Sequence, residues 1–199
     1  MNYPRFKRCL DLLVAGLSLI LLAPFLLVIS ILIRNQLGPP VLFTQKRPGL
    51  HGSPFKLYKF RTMTNAKYPN GEMLPDSERM TPLGRWLRGT SLDELPELYN
   101  IFNKDMSIVG PRPLLMEYLN RYSPEQARRH EVLPGITGWA QVNGRNALTW
   151  EKKFELDVWY VDNQSLALDL KIIALTVWKI IKREGISQTG HDTVEKFTG

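Results

Sequence analysis

The sequence predicts an α+β fold, mostly helical, held on a membrane surface by an N-terminal helix that enters the bilayer and returns. Three observations predict it. Residues Cys9 to Ile33 are almost wholly apolar yet carry Pro24 near their middle. Two short β-like runs flank a Gly/Pro turn from Pro48 to Pro54. Much of the remainder reads as helix, ending in an amphipathic stretch at 165–183.

The apolar segment is long enough to cross a bilayer as one straight helix, for which about 20 apolar residues suffice. A cleaved leader fits less well, because the run is too long and no small-x-small site precedes Gln36-Leu37-Gly38-Pro39-Pro40. Two features point to a re-entrant helix instead. Pro24 has no N–H for the carbonyl of Ile20, and its ring crowds that turn, so a break or kink is expected. Basic residues lie on both flanks: Arg5, Lys7 and Arg8 before, Arg34, Lys46 and Arg47 after. Positive flanks favour the cytoplasmic side, and a returning helix puts both there. Backbone groups freed at the break need partners at that depth; Ser18 and Ser30 are the candidates. The chain thus divides into a re-entrant membrane helix, 1–35, and a cytoplasmic domain, 36–199.

Gln36 to Pro40 reads as the linker out of the membrane. Val41–Gly49 and Pro54–Met63 read as two strands around the turn. A polar loop, Asn65–Asp76, follows. Leu83–Arg88 and Leu95–Phe102 read as helices. Ile108–Pro113 is extended, because a residue before proline is pushed out of helical space. A helix is expected from about Leu114 to His130, interrupted near Ser123-Pro124. Leu133–Arg145 is a Gly-rich loop and strand. At 165–183, Leu166, Leu170, Ile173, Val177 and Ile181 share one face about 100° wide. Lys171, Lys179 and Lys182 gather on another, near Trp178. Such a helix either packs on the core or lies in the membrane interface, where a basic face beside Trp suits anionic headgroups.

Composition narrows the partners. Lys and Arg total 26 against 19 Asp and Glu, a net charge of +7 in 199 residues. That excess points to nucleic acid, anionic lipid or a phosphorylated substrate. Dense aromatic and basic interleaving, the mark of single-strand nucleic-acid binders, is missing, so no nucleic-acid partner is expected. Cys9 is the one cysteine, which excludes an intrachain disulfide. The three histidines are scattered, so neither a zinc site nor a Ser-His-Asp grouping is read.

Ser91-Leu92-Asp93-Glu94-Leu95-Pro96-Glu97-Leu98 is the candidate site. Ser91 followed by Glu94 matches a capping box, which accounts for one acid at most. The neighbouring cations need another reason. A carboxylate attacks phosphorus only where charge repulsion is offset, as guanidinium groups and Mg²⁺ offset it in phosphoryl transfer. Arg88 lies just upstream. Arg112 stands between Pro111 and Pro113, which restrict its backbone and pre-aim the fork that matches two phosphate oxygens.

Three blocks, Ser91–Asn100, Asp105–Pro113 and Leu133–Arg145, resemble the signatures of the bacterial sugar transferases, the monotopic phosphoglycosyl transferases. Val41–Gly49, Phe55–Met63 and Phe154–Asn163 are similar too, so the likeness covers almost the whole chain in order. The tail, Gly185–Phe197, resembles the branch that makes undecaprenyl-diphospho-N,N′-diacetylbacillosamine for protein glycosylation. The resemblance implies transfer of a sugar-1-phosphate from a UDP-sugar to undecaprenyl phosphate, releasing UMP. It implies Asp93 as nucleophile and metal contact, Glu94 as the second catalytic acid, and Mg²⁺ as cofactor. Lys59, Arg88, Arg112 and Arg145 become substrate-binding candidates. It implies the bacterial inner membrane, membrane lipids as surroundings, and a catalytic domain facing the cytoplasm. Ala23-Pro24 stands where the family has Ser-Pro, Glu97 where Gln is commoner, and Lys104 where Gly is usual, so a negative φ is expected at Lys104. The alternative from another class is a non-catalytic basic tether for anionic lipid, with Asp93-Glu94 as a helix cap.

Overall fold

The computed structural model describes residues 3–144, 147–182 and 197–199. Helix α1 runs from Tyr3 to Leu37 and contains Pro24. At 1.5 Å per residue it is roughly 50 Å long, and it is the one described helix long and apolar enough to cross a membrane. Pro24 does not end the element, since the backbone is helical on both sides; by removing one hydrogen bond it marks the place where a long helix bends. Ser30 donates to the Leu26 carbonyl at 2.7 Å, one turn back, so it does not serve the carbonyl of Ile20. No hydrogen bond from Ser18 to that carbonyl occurs among the described residues either.

One stripe of α1 is buried: Asp11, Ala15, Ile29 and Ile33. The other faces stay apolar and bare, Ile20 and Leu21 most of all. Near its start, Ala15 packs with Phe55, Leu57, Ile101 and Met106. Asp11 there accepts from the Ser107 hydroxyl at 2.7 Å and the Ile108 N–H at 3.2 Å. Near its end, Ile29 and Ile33 pack with Phe60 and Leu87. Both ends of the apolar helix therefore rest on the same domain.

Strands β1 (Leu42–Pro48) and β2 (Pro54–Phe60) form an antiparallel hairpin, in register from Leu42 opposite Phe60 to Pro48 opposite Pro54. The polar loop ends in a short helix, α2 (Asp76–Arg79), and α3 (Pro82–Gly89) and α4 (Glu97–Phe102) follow. Strand β3 (Ser107–Val109) pairs in parallel with β4 (Gly135–Thr137). Only glycine fits at Gly135, since a Cβ there would lie 2.1 Å from the Gly110 nitrogen. The helix expected over 114–130 is divided more fully than the sequence suggests. Met116–Arg121 is a 3₁₀ turn, and α5 (Pro124–Ala127) starts afresh. A capping box of Ser123 and Gln126 with Pro124 in the first turn explains that restart. Helices α6 (Trp139–Val142), α7 (Trp150–Asp162) and α8 (Leu166–Lys182) complete the described chain.

One local expectation is corrected, and one open alternative is narrowed. Lys104 adopts φ +70°, so the turn does use the left-handed region although glycine is missing. That costs a non-glycine residue about 1–2 kcal/mol. The Asp105 carboxylate, which accepts from the Asn100 and Asn103 amides at 3.2 and 3.0 Å, holds the turn closed. In α8, the apolar stripe read from periodicity is largely turned outward, with Leu170 and Ile181 well exposed. The inward face carries Asp169 and Ile172 instead. Asp169 sets that rotation by accepting from the Tyr160 hydroxyl at 2.7 Å and the Tyr3 hydroxyl at 2.5 Å, and by pairing with Lys7. A bare apolar face beside Lys182, whose ammonium lies 4.6 Å from the Trp178 ring, favours the interfacial arrangement over core packing.

Candidate active site

Side chains alternate along a strand, so Phe55, Leu57 and Lys59 of β2 share one face. Phe55 and Leu57 are buried in the core. Lys59 continues inward, where an ammonium needs anionic partners. It finds two: Glu94 Oε1 at 2.7 Å and Glu97 Oε1 at 3.1 Å. Asn100 fixes the distance between strand and acids. Its amide donates to the Lys56 carbonyl at 2.7 Å and accepts from the Tyr58 N–H at 3.1 Å, so α4 is fastened to the backbone of β2.

Asp93 and Glu94 lie in a 3₁₀ turn, Leu92–Glu94, and both are buried. The capping box does not form. Ser91 is left-handed, φ +56°, and its hydroxyl caps nothing. Such a conformation in a serine is stored strain of the kind found at functional sites. Glu94 turns away from the backbone and accepts from Arg112 at 2.5 Å and from Lys59.

Arg112 is aimed by its backbone as well as by its prolines. The Pro111 carbonyl accepts from the Gly135 N–H at 3.0 Å. The Arg112 carbonyl accepts from Arg129 at 2.8 Å, and the Pro113 carbonyl from Arg47 at 3.3 Å. Three consecutive carbonyls are thus tied to different parts of the fold. Arg88, at the end of α3, gives its Nε–H to the Thr62 hydroxyl at 3.1 Å. Gly84 allows that approach, because a Cβ would meet the Thr62 carbonyl oxygen at 1.9 Å.

The two acids are shifted in opposite directions. Burial alone raises Glu94, but Arg112 and Lys59 outweigh it and keep the carboxyl well below the ordinary range. Asp93 is pushed up, first by burial and then by Glu94, against the pull of Lys59, Arg88 and Arg112. Among the described residues, Asp93 has no ion pair within 4 Å. It is the carboxylate left over once the cations have chosen Glu94. The described residues contain no cluster of three His, Cys, Asp or Glu side chains that would cage a metal. Mg²⁺ does not need one: it is usually held by one or two carboxylates, waters and substrate phosphates. A single uncommitted carboxylate, Asp93, fits that donor set.

The structure brings together Asp93, Glu94, Lys59 and Arg112, and the field of Arg88 reaches Asp93. Arg145 lies outside the described residues. Sequence reasoning missed Glu97, Asn100 and Arg129 as parts of the site. Glu97 had one signal, its departure from Gln. Burial first, with Glu94 adding to it, pushes Glu97 up to about 7 from 4.5. A carboxyl raised in the folded state gives stability that is complete below its unfolded pKa and is lost as pH rises through about 7. Glu97→Gln removes an ionised buried acid, worth up to about 3 kcal/mol above that pH. Its Tm is expected to exceed the parent's by several degrees at about pH 8 and to converge with it near pH 5. Parallel Tm profiles would mean that Glu97 is ionised throughout.

Comparison with known proteins gives a consistent set of likenesses. The sequence model of the family described as Bacterial sugar transferase matches residues 2–183. The uncharacterized sugar transferase EpsL of Bacillus subtilis is 58% identical over 193 residues, which are 97% of this chain and 96% of that one. The UDP-glucose:undecaprenyl-phosphate glucose-1-phosphate transferase of Klebsiella pneumoniae is 42% identical over 184 residues, 87% of this chain and 40% of that one. The undecaprenyl-phosphate galactose phosphotransferase of Salmonella typhimurium is 33% identical over 196 residues, 90% of this chain and 41% of that one. The chain spans about two fifths of the length of these last two relatives.

Proposed function

The chain belongs to the bacterial sugar transferase family, and from that premise we propose that it is a phosphoglycosyl transferase moving a sugar-1-phosphate from a UDP-sugar to undecaprenyl phosphate. One observation carries the reading: of two adjacent buried acids, Glu94 takes the cations and Asp93 is left uncommitted. A bare carboxylate beside a fixed cationic wall is what attack on an anionic phosphorus requires.

In the first step an Asp93 oxygen forms a bond to the phosphorus that carries the sugar. The P–O bond to the UMP phosphate breaks, and UMP leaves with that oxygen and its electron pair. In the second step a phosphate oxygen of undecaprenyl phosphate attacks the same phosphorus, the bond to Asp93 breaks, and the carboxylate is restored. Glu94 holds Arg112 and Lys59 in place. Arg88 keeps the outer edge of its guanidinium for the diphosphate, and Arg145 is a further substrate contact. Asp93 would hold Mg²⁺ together with the donor's phosphates, and the ion would supply neutralisation of the charge that builds there. The tether alternative needed the acids as a helix cap, and no such cap forms.

The site serves a soluble donor and a lipid acceptor, so it belongs at the membrane surface. Support for a re-entrant α1 comes from its two ends, which both pack on the body of the fold, as the ends of a helix that returns to one side of the bilayer would. The cytoplasmic face of the bacterial inner membrane is where both basic flanks then sit. Cysteines placed before Tyr3 and at Gln36 are expected to label from the same side; labelling from opposite sides would make α1 a straight span.

The donor is proposed to be UDP-N,N′-diacetylbacillosamine or another N-acetylated UDP-sugar, on the resemblance of Gly185–Phe197, most of which lies outside the described residues. The deciding experiment is UMP release across a panel of UDP-sugars with undecaprenyl phosphate and Mg²⁺. Faster release with N-acetylated donors is expected. Preference for UDP-glucose or UDP-galactose overturns the sugar alone, and no release from any donor overturns the reaction.

A further inference from the structure

A cavity of about 480 Å³ lies between α1, the turn carrying the acidic pair, the β3–β4 pair and α8. Its walls include Leu95, Leu98, Ile136 and Ile173, and Glu94 and Arg112 line it too. Val14 of α1 and Val177 of α8 also line it while being half exposed. The cavity therefore opens where the two helices present their bare apolar faces. Gln141 adds one feature to the lining: its amide nitrogen and oxygen are both buried without a hydrogen-bond partner among the described residues.

We propose that this cavity holds the first isoprene units of the acceptor, with the acceptor's phosphate at the Glu94–Arg112 wall and the rest of the chain running out between α1 and α8 into the bilayer. This rests on the polyprenyl-phosphate reading above. Three observations favour that occupant. Among the described residues, every apolar side chain lining the cavity is aliphatic. A uridine would want an aromatic face to stack on, whereas a branched hydrocarbon wants what is there. The polar lining includes Arg112, Lys179 and the unpartnered Gln141 amide, donors for phosphate oxygen, with the Glu94 carboxylate already paired to Arg112. The volume falls in the range of about 300–1,000 Å³ that encloses a drug-sized ligand, so the cavity takes the head of a long lipid and leaves the tail outside.

Val177→Trp fills the cavity from a position already half exposed, which spares the core. The acceptor KM is expected to rise roughly tenfold, since excluding about two methylenes costs that much. The burst of UMP released without acceptor, stoichiometric with enzyme, keeps its rate. An unchanged acceptor KM overturns the proposal. Absence of the burst in the parent protein overturns the transferase mechanism instead. Independently, the parent chain in vesicles of phosphatidylethanolamine and phosphatidylglycerol is irradiated with a polyprenyl phosphate bearing a diazirine on its second isoprene unit. Labelling at Leu95, Ile173 and Val177 supports the assignment. Labelling confined to Ile20 and Leu21 overturns it. Equal cavity labelling by a photoreactive phosphatidylglycerol also overturns it, giving the space to bulk lipid.

Discussion

Asp93→Asn is expected to abolish turnover and leave the fold standing. Asparagine keeps the shape of the side chain and loses only the charge. That charge is a liability to the fold, because burial and Glu94 both raise the Asp93 carboxyl, so the folded state favours the neutral form. Tm at neutral pH is therefore expected to stay level or rise slightly. The chemistry has no substitute. An amide is a poor nucleophile toward phosphorus, and Glu94 cannot take over while Arg112 and Lys59 hold it. UMP release is expected to fall by at least about a thousandfold. The parent, incubated with donor alone, gains the mass of one sugar phosphate on the peptide containing Asp93; the variant gains nothing. Continued turnover in the variant, or product from a parent that never carries the adduct, would replace the two-step scheme with direct transfer between bound substrates.

The reading of the sequence reached the local parts of this site and missed what ties them together. Asp93-Glu94, Arg88 and Pro111-Arg112-Pro113 stand out because the chemistry and the backbone restriction are written in consecutive residues. The hairpin is equally legible, since alternation on either side of Pro48–Pro54 needs no partner. Glu97, Asn100 and Arg129 are different. Each matters for what it meets in space: Glu97 meets Lys59, Asn100 meets the β2 backbone, and Arg129 meets the Arg112 carbonyl. Nothing in their own neighbourhoods announces those meetings. The turn at Ser91 shows how a good local motif fails. Ser91 and Glu94 have the right spacing for a cap, but the glutamate gains more from two cations than from one backbone N–H. Periodicity in α8 found an apolar stripe correctly and could not say which side the core would claim. Asp169, reached by Tyr3, Lys7 and Tyr160 from distant segments, decided that.

Asp157→Asn is expected to be the most destabilising conservative change in the domain, and it also tests how Arg112 is held. Arg129 and Asp157 are both buried, and two guanidinium nitrogens reach one carboxylate oxygen at 3.1 and 2.7 Å. Removing one partner strands the other charge, at a cost of about 3–5 kcal/mol. For a chain of this size that lowers Tm by roughly 10 °C. Activity falls as well, but loss of fold alone would explain that. The double change Arg129→Met with Asp157→Leu separates the two effects. Replacing both members of a buried pair by apolar residues is often neutral or stabilising, so Tm is expected to recover. The Arg112 carbonyl, however, still lacks the donor that sits 2.8 Å away in the parent. The Pro111–Pro113 segment then loses one of its three ties, and the guanidinium that neutralises Glu94 is less well aimed. Turnover is expected to remain about ten- to a hundredfold low, since misplacement of about 1 Å costs on that order, and to show in kcat more than in donor KM. Recovery of stability and turnover together would make Arg129 a strut of the fold with no part in aiming Arg112.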